Sequence, residues 1–257
     1  NYFTFENPGL EDTYNRLRIE SIQLMIGYMA ELSGLNLNST NRKVQKRIAQ
    51  LENLINRHAD LNQSYSEMEI SATEIFVTSE RPNPRPGVVA DTRYEGSNSR
   101  ITVRMGSYSN NIGTMAHEFR HAYGYLIGKI IYGGKGLYDM TDEVVAYNAG
   151  YLFADKGTAN LVADGFYDVE WFKRTKMDGD AYTSLTGREE SLTLNTPSAV
   201  YMRYFDDRLT SFMTSPMYSN INTVGAAIDA ANAHSWLHRN KVDYKYGAML
   251  EKPIRLD

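Results

Sequence analysis

Residues 111 to 128 read NIGTMAHEFRHAYGYLIG, and the pentapeptide His117-Glu118-Phe119-Arg120-His121 lies at their centre. Ile112, Met115, Ala116, Phe119, Tyr123, Leu126 and Ile127 recur at helical spacing, Asn110 or Asn111 can serve as N-cap, and Gly128 offers a stop. The run is therefore expected to be an amphipathic helix. Two imidazoles at i and i+4 sit one above the other on a helix, so both can reach one ion while Glu118 projects beside them. Two His and an adjacent Glu in this spacing form the donor set of a Zn²⁺ site with a carboxylate placed to act as a base. With only 5 His in 257 residues, a chance HExxH is an uncommon event. The competing reading is a core helix whose two His residues are simply hydrogen-bonded.

A tetrahedral zinc site needs a third protein ligand. The compact HExxHxxGxxH arrangement carries another His six residues after the second one. Gly124 fits that pattern, but the last position is Ile127, which cannot bind metal. The other route is a carboxylate on a second helix crossing the first. Thr141-Asp142-Glu143-Val144-Val145-Ala146-Tyr147 has the form of a helix start, with Thr141 as N-cap and acids in the first turn. Glu143 lies 22 positions after His121, behind Gly133, Gly134 and Gly136, a connection long enough to turn the chain back. Glu143 is the expected third ligand, with Asp139 and Asp142 as substitutes. Acids in a first turn also favour the helix dipole without any metal, so the alternative stays open.

The segments HEFRHAYGY and GLYDMTDEVVAYNAGYLF resemble the HExxH–Glu zinc peptidases, the gluzincins. More specifically they resemble metallopeptidase domains at the C-termini of Bacteroidetes polymorphic toxins of the rearrangement-hot-spot type. The matching residues are His117, Glu118, His121, Ala122, Tyr138, Asp139, Asp142, Glu143, Ala146 and Tyr147, and the likeness covers about residues 100 to 155. Two positions depart from the pattern. Arg120 replaces the Gly or Leu common before the second His, and Tyr147 stands where thermolysin-like enzymes place the Asp that orients a ligand. The resemblance implies an α+β fold with a zincin-like metallopeptidase core. It implies Zn²⁺ as cofactor, with His117, His121 and Glu143 as ligands and Glu118 as the catalytic base. Asp142, Tyr147, Tyr151, His234 and His238 are candidates for supporting the ligands or stabilising the transition state.

Around the motif the chain divides into three expected parts. Residues 1-66 form a helical hairpin: Tyr14, Leu17, Met25, Tyr28 and Leu32 make one stripe, and Val44, Ile48, Leu51, Ile55 and His58 another. Ser33 to Thr40 supplies the turn, and His58 is expected to be a packed or capping residue. Residues 67-158 form the core, with strands at Ile75-Phe76-Val77-Thr78 and beginning at Val88-Val89-Ala90. Arg100 to Met105 alternates Arg/Thr with Ile/Val/Met and is expected to be a half-buried, edge-type strand. The Glu143 helix is expected to run to about Asp155. Residues 159-257 form a mainly helical subdomain, with helices expected over Tyr167 to Phe172, Ala199 to Phe212 and Thr223 to Leu237. His234 and His238 also stand at i and i+4, but without an adjacent Glu the capping or solvent-facing reading is favoured.

Composition narrows the function classes. A net charge of −4 argues against a dedicated nucleic-acid binder, so nucleic acid is not an expected partner. There is no Cys, so any metal must be held by His and carboxylate. No apolar run is long enough for a membrane span, and NYFTFENPGL lacks the regions of a signal peptide. The resemblance to toxin C-termini implies a secreted or exported chain, delivered as a domain of a larger protein. The same resemblance implies as partners a protein or peptide substrate, a carrier and a cognate immunity protein. Three readings stand: a zinc endopeptidase, a zinc hydrolase of a cell-wall or other amide bond, and a non-catalytic binding protein with a degenerate metallopeptidase fold.

Overall fold

Asn7 begins the first long helix: its side chain accepts a hydrogen bond from the Leu10 amide, and Pro8 supplies a preset φ at the first helical position. This computed structural model describes residues 3–82, 88–95, 100–126, 140–177 and 182, together with the backbone of residues 242–243 and 254–255. Helix α1 spans Pro8–Ser33 and helix α2 spans Arg42–Glu69, the latter capped by the Asn41 side chain on the Lys43 amide. Paired contacts show that the two run antiparallel: Tyr14 meets Glu69, Arg18 meets Asn62, Ser21 meets His58 and Glu31 meets Arg47. The hairpin expected from the two apolar stripes is thus present, and His58 is packed rather than capping. It is fully buried, with Nδ1 3.0 Å from the Ser21 hydroxyl.

A four-stranded mixed sheet lies against the hairpin. Strand β1 (Phe3–Phe5) pairs parallel with β2 (Glu74–Thr78), which pairs parallel with β4 (Arg100–Arg104); β3 (Asp91–Glu95) pairs antiparallel with the far side of β4. The order β1-β2-β4-β3 corrects two expectations. Arg100–Arg104 is an interior strand, buried on both faces from Ile101 onward, and among the described residues β3 is the edge on that side. The period-2 pattern reported polarity, but Arg104 is buried because Asp91 on β3 pairs with it through two bonds of 2.7 and 2.6 Å. The strand expected to begin at Val88 starts at Asp91, leaving Val89 exposed. Strand β1 was not expected.

Partnered residues in a ladder share a face, so the register places Phe5, Val77, Val103 and Thr92 on one side, alongside Phe3, Ile75, Ile101 and Tyr94. That side carries helix α3 (Ile112–Leu126), whose Met115, Ala116, Phe119 and Ala122 are fully buried. Phe3, Tyr14, Tyr65 and Phe119 meet edge-on, joining sheet, hairpin and α3 in one core. Asn111 caps α3 by accepting from the Thr114 amide at 2.7 Å, as one of the two candidate caps predicts.

Helix α4 spans Met140–Tyr151, so Thr141 lies inside it rather than at its cap. The helix also ends before the expected Asp155. Asp155 is the N-cap of a new helix, α5 (Lys156–Ala163), its carboxylate accepting from the Thr158 amide. The helix expected near Tyr167 is α6 (Val169–Lys176), capped by Asp168. Strands β5 (Val242–Asp243) and β6 (Ile254–Arg255) pair antiparallel. The helices expected at Ala199 to Phe212 and Thr223 to Leu237 lie outside the described residues, as do Asp139, His234 and His238. The described architecture is α+β, and among the described residues no helix is long and apolar enough to cross a membrane.

Candidate metal centre

Helices α3 and α4 run antiparallel in direct backbone contact. A Cβ built on Gly150 would fall 2.7 Å from the Gly113 carbonyl oxygen, and one built on Gly113 would fall 3.1 Å from the Gly150 carbonyl oxygen. Only the absence of side chains at both positions lets the helices approach this closely. One turn along, the His117 ring meets the Tyr147 ring edge-on at 4.7 Å between centroids. A further turn along, His121 meets Glu143. The glycine crossing therefore sets the height at which a carboxylate from α4 reaches the histidine pair of α3.

The three groups converge tightly. His117 Nε2 and His121 Nε2 are 3.2 Å apart, Glu143 Oε2 is 3.5 Å from His117 Nε2, and Glu143 Oε1 is 3.4 Å from His121 Nε2. One ligand atom from each residue can be chosen so that all lie within 4.8 Å of one another, an arrangement able to hold a metal ion. In a tetrahedral site with bonds near 2.05 Å, neighbouring ligand atoms are about 3.3 Å apart. The separation of the two imidazole nitrogens is close to that edge, each faces a different oxygen of Glu143, and two imidazoles with one carboxylate suit a borderline divalent ion. Both histidines present Nε2 toward Glu143.

Electrostatics are unusual for a helix pair. Glu118, Asp142 and Glu143 are all buried, at 5%, 6% and 3% exposure. Burial pushes the Glu118 carboxyl up to about 7, against the lowering influence of His121 and of a hydrogen bond from Thr92. Burial presses the His117 imidazole down to about 3. For His121 burial acts in the same sense, but the charge and hydrogen bonding of Glu143, aided by Glu118 and Asp142, prevail and raise it to about 9. Asp142 thus acts on His121 through its field, while Glu143 is the carboxylate brought to both rings.

The structure brings His117, Glu118, His121 and Glu143 together and sorts the remaining candidates. The Tyr147 hydroxyl bonds the Tyr182 hydroxyl at 2.8 Å, and Lys176 Nζ lies 4.5 Å from the Tyr147 ring centroid. Burial raises the Tyr147 and Tyr182 hydroxyl pKa values, and the Glu143 and Glu118 charges act in the same sense. Tyr151 lies behind Tyr147 in an aromatic cluster with Tyr167 and Trp171. Three participants escaped sequence reasoning: Thr92, the Gly113–Gly150 pair and Tyr182. Gly113 stands eight residues before His121 and Gly150 seven after Glu143, a near-symmetry that becomes visible only once the two helices are known to be antiparallel. Thr92 alternates with Asp91 and Arg93, a pattern that would have put it on the helix-facing side of a strand. Comparison with known proteins found no matching protein family, no similar curated protein and no similar solved structure.

Proposed function

We propose that this chain is a zinc-dependent endopeptidase with a zincin-like core. The observation that carries the reading is the convergence of His117, His121 and Glu143 at 3.2–3.5 Å, with Glu118 one residue from a ligand and buried next to it. His117 and His121 from α3 and Glu143 from α4 would hold the ion. When bound, zinc supplies Lewis acidity toward a carbonyl oxygen and lowers the pKa of a coordinated water toward about 7.

The chain's own residues supply the rest. Glu118, whose carboxyl titrates near neutrality, accepts a proton from the attacking water and returns it to the leaving amine. Burial of Glu118 and of the ligands keeps bulk water from competing for that proton. Among the described residues the outer side of β3 pairs with no strand, so a peptide lying extended along Asp91–Arg93 would add to the sheet there. Tyr147 and Tyr182 offer hydroxyls for the developing oxyanion. From the likeness to toxin C-terminal domains we infer that the substrate is a protein of a competing cell. Activity would be restrained in the producing cell by an immunity protein.

The test is a pair of measurements on wild type and Glu118→Gln: zinc content after exhaustive dialysis, and cleavage of an unfolded protein such as reduced casein. Both proteins should retain one zinc, and only wild type should cleave. Cleavage by the variant at the wild-type rate, or a wild type that holds no zinc, would overturn the reading. Zinc retained with no proteolysis, but with release of amide-bonded fragments from peptidoglycan, would move the assignment to a cell-wall amidase.

A further inference from the structure

We propose that Thr92, on the edge strand, is the positioning residue for Glu118, holding one carboxylate oxygen so that the other is presented to water. The inference rests on the metallopeptidase reading for its catalytic consequence. Its geometric content stands on its own.

The Thr92 hydroxyl lies 2.8 Å from Glu118 Oε2 and 3.0 Å from the Glu118 backbone carbonyl oxygen. A hydroxyl has a single proton to donate, and an ionised carboxylate is the stronger acceptor. The proton therefore goes to Oε2, and the Glu118 backbone carbonyl oxygen lies within contact of the same hydroxyl. A Glu side chain otherwise has three torsions to settle, and among the described residues this is the one hydrogen bond made to its carboxylate. Thr92 is itself fixed from two directions. In the ladder it stands opposite Val103, which orients it toward α3, and its neighbour Asp91 is tied to Arg104 by two bonds of 2.7 and 2.6 Å. The contact spans 26 residues of sequence between strand and helix, so it fixes the edge strand relative to the histidine helix as well as fixing Glu118.

A merely structural hydroxyl that satisfies a buried acid would give the same distances, so the test must separate position from stability. Thr92→Val keeps the shape and β-branching and removes the donor; Thr92→Ala serves as a second variant should Val not fold; Thr92→Ser restores the donor. Each is assayed for zinc affinity by chelator competition, for kcat and KM on an unfolded protein substrate, and by a crystal structure of the zinc-loaded form. The expected result is zinc affinity within about twofold of wild type, kcat lower by about 10- to 100-fold with KM little changed, and activity regained in Thr92→Ser. In the crystal the Glu118 carboxylate should leave its wild-type rotamer in the Val or Ala variant and occupy it in Ser. Wild-type kcat in Thr92→Val, or an unmoved Glu118 in its crystal structure, overturns the proposal. If wild type itself cleaves nothing, the endopeptidase reading falls, and the Glu118 rotamer in the variant crystals still decides whether Thr92 positions it.

Discussion

Gly150→Ala adds one methyl group at the point where α3 and α4 touch. That methyl would sit 2.7 Å from the Gly113 carbonyl oxygen, whereas ordinary contacts begin near 3.4 Å. The shortfall of about 0.7 Å cannot be relieved by a rotamer change, because both obstructing groups are helix backbone. The helices must part or slide. Glu143 lies two turns along α4, and metal–ligand bonds tolerate only about ±0.2 Å, so the displacement should weaken zinc binding by at least about tenfold, near 1.4 kcal/mol. Overpacking costs about 1–3 kcal/mol, and the better helix propensity of Ala returns up to about 1 kcal/mol, leaving a net loss of about 0–3 kcal/mol. Competition against a chromophoric chelator reads the first quantity, and urea denaturation of the metal-free protein reads the second. A variant that binds zinc as wild type does, and is more stable by the helix-propensity gain alone, would show that the two backbones do not meet here.

Tyr182→Phe and Tyr147→Phe should each lower kcat, by up to about 10²-fold for whichever hydroxyl faces the oxyanion, with zinc affinity preserved; two variants with wild-type kcat would remove the tyrosine pair from the mechanism. His58 gives a pH effect away from the metal. Burial holds its imidazole down to about 4, so above pH 6.5 it is neutral in both folded and unfolded chains. Below that, the unfolded chain takes up a proton that the folded chain refuses, and stability falls as pH drops from 6.5 toward 4, by up to about 3 kcal/mol. Urea denaturation at pH 7 and pH 5 should show a flatter dependence for His58→Leu than for wild type, and parallel losses would refute the assignment.

The histidine helix was legible because three independent signals coincide in it: an apolar period, an Asn cap and a rare residue pattern. The fourfold spacing of His117 and His121 carries its own geometry, since both residues lie on one helix. Glu143 could be named as a candidate, yet its choice over Asp142 depends on the rotation of α4, which the Gly113–Gly150 contact sets. The strand order was not legible for a related reason. Arg104 looks solvent-facing in a period-2 pattern, and only its long-range ion pair with Asp91 lets it be buried. The break between α4 and α5 was missed because Asp155 is equally at home near a helix end and at an N-cap; its bond to the Thr158 amide decides for the cap. Local pattern specifies elements, while the groups that tune this site come from crossings between them.

Burying Glu118, Asp142 and Glu143 between two helices is costly for a metal-free protein, since each ionised carboxylate loses hydration and each disfavours ionisation of the others. That cost separates a metal centre from a pair of hydrogen-bonded core histidines. In the metal-free chain Glu143 is also the group that raises the His121 pKa, so Glu143→Gln both breaks a buried pair and relieves like-charge burial, and the metal-free stabilities alone do not identify a ligand. The zinc-induced gain does. Wild type gains RT ln(1 + [Zn]/Kd), about 4 kcal/mol at a thousandfold excess over Kd, and a variant that has lost a ligand gains far less. Denaturation of both proteins in chelator and in zinc supplies the four midpoints required. A gain in wild type that the variant lacks identifies Glu143 as a ligand; equal gains in the two proteins would assign it to the core as the partner of His121 and remove the third ligand from the site.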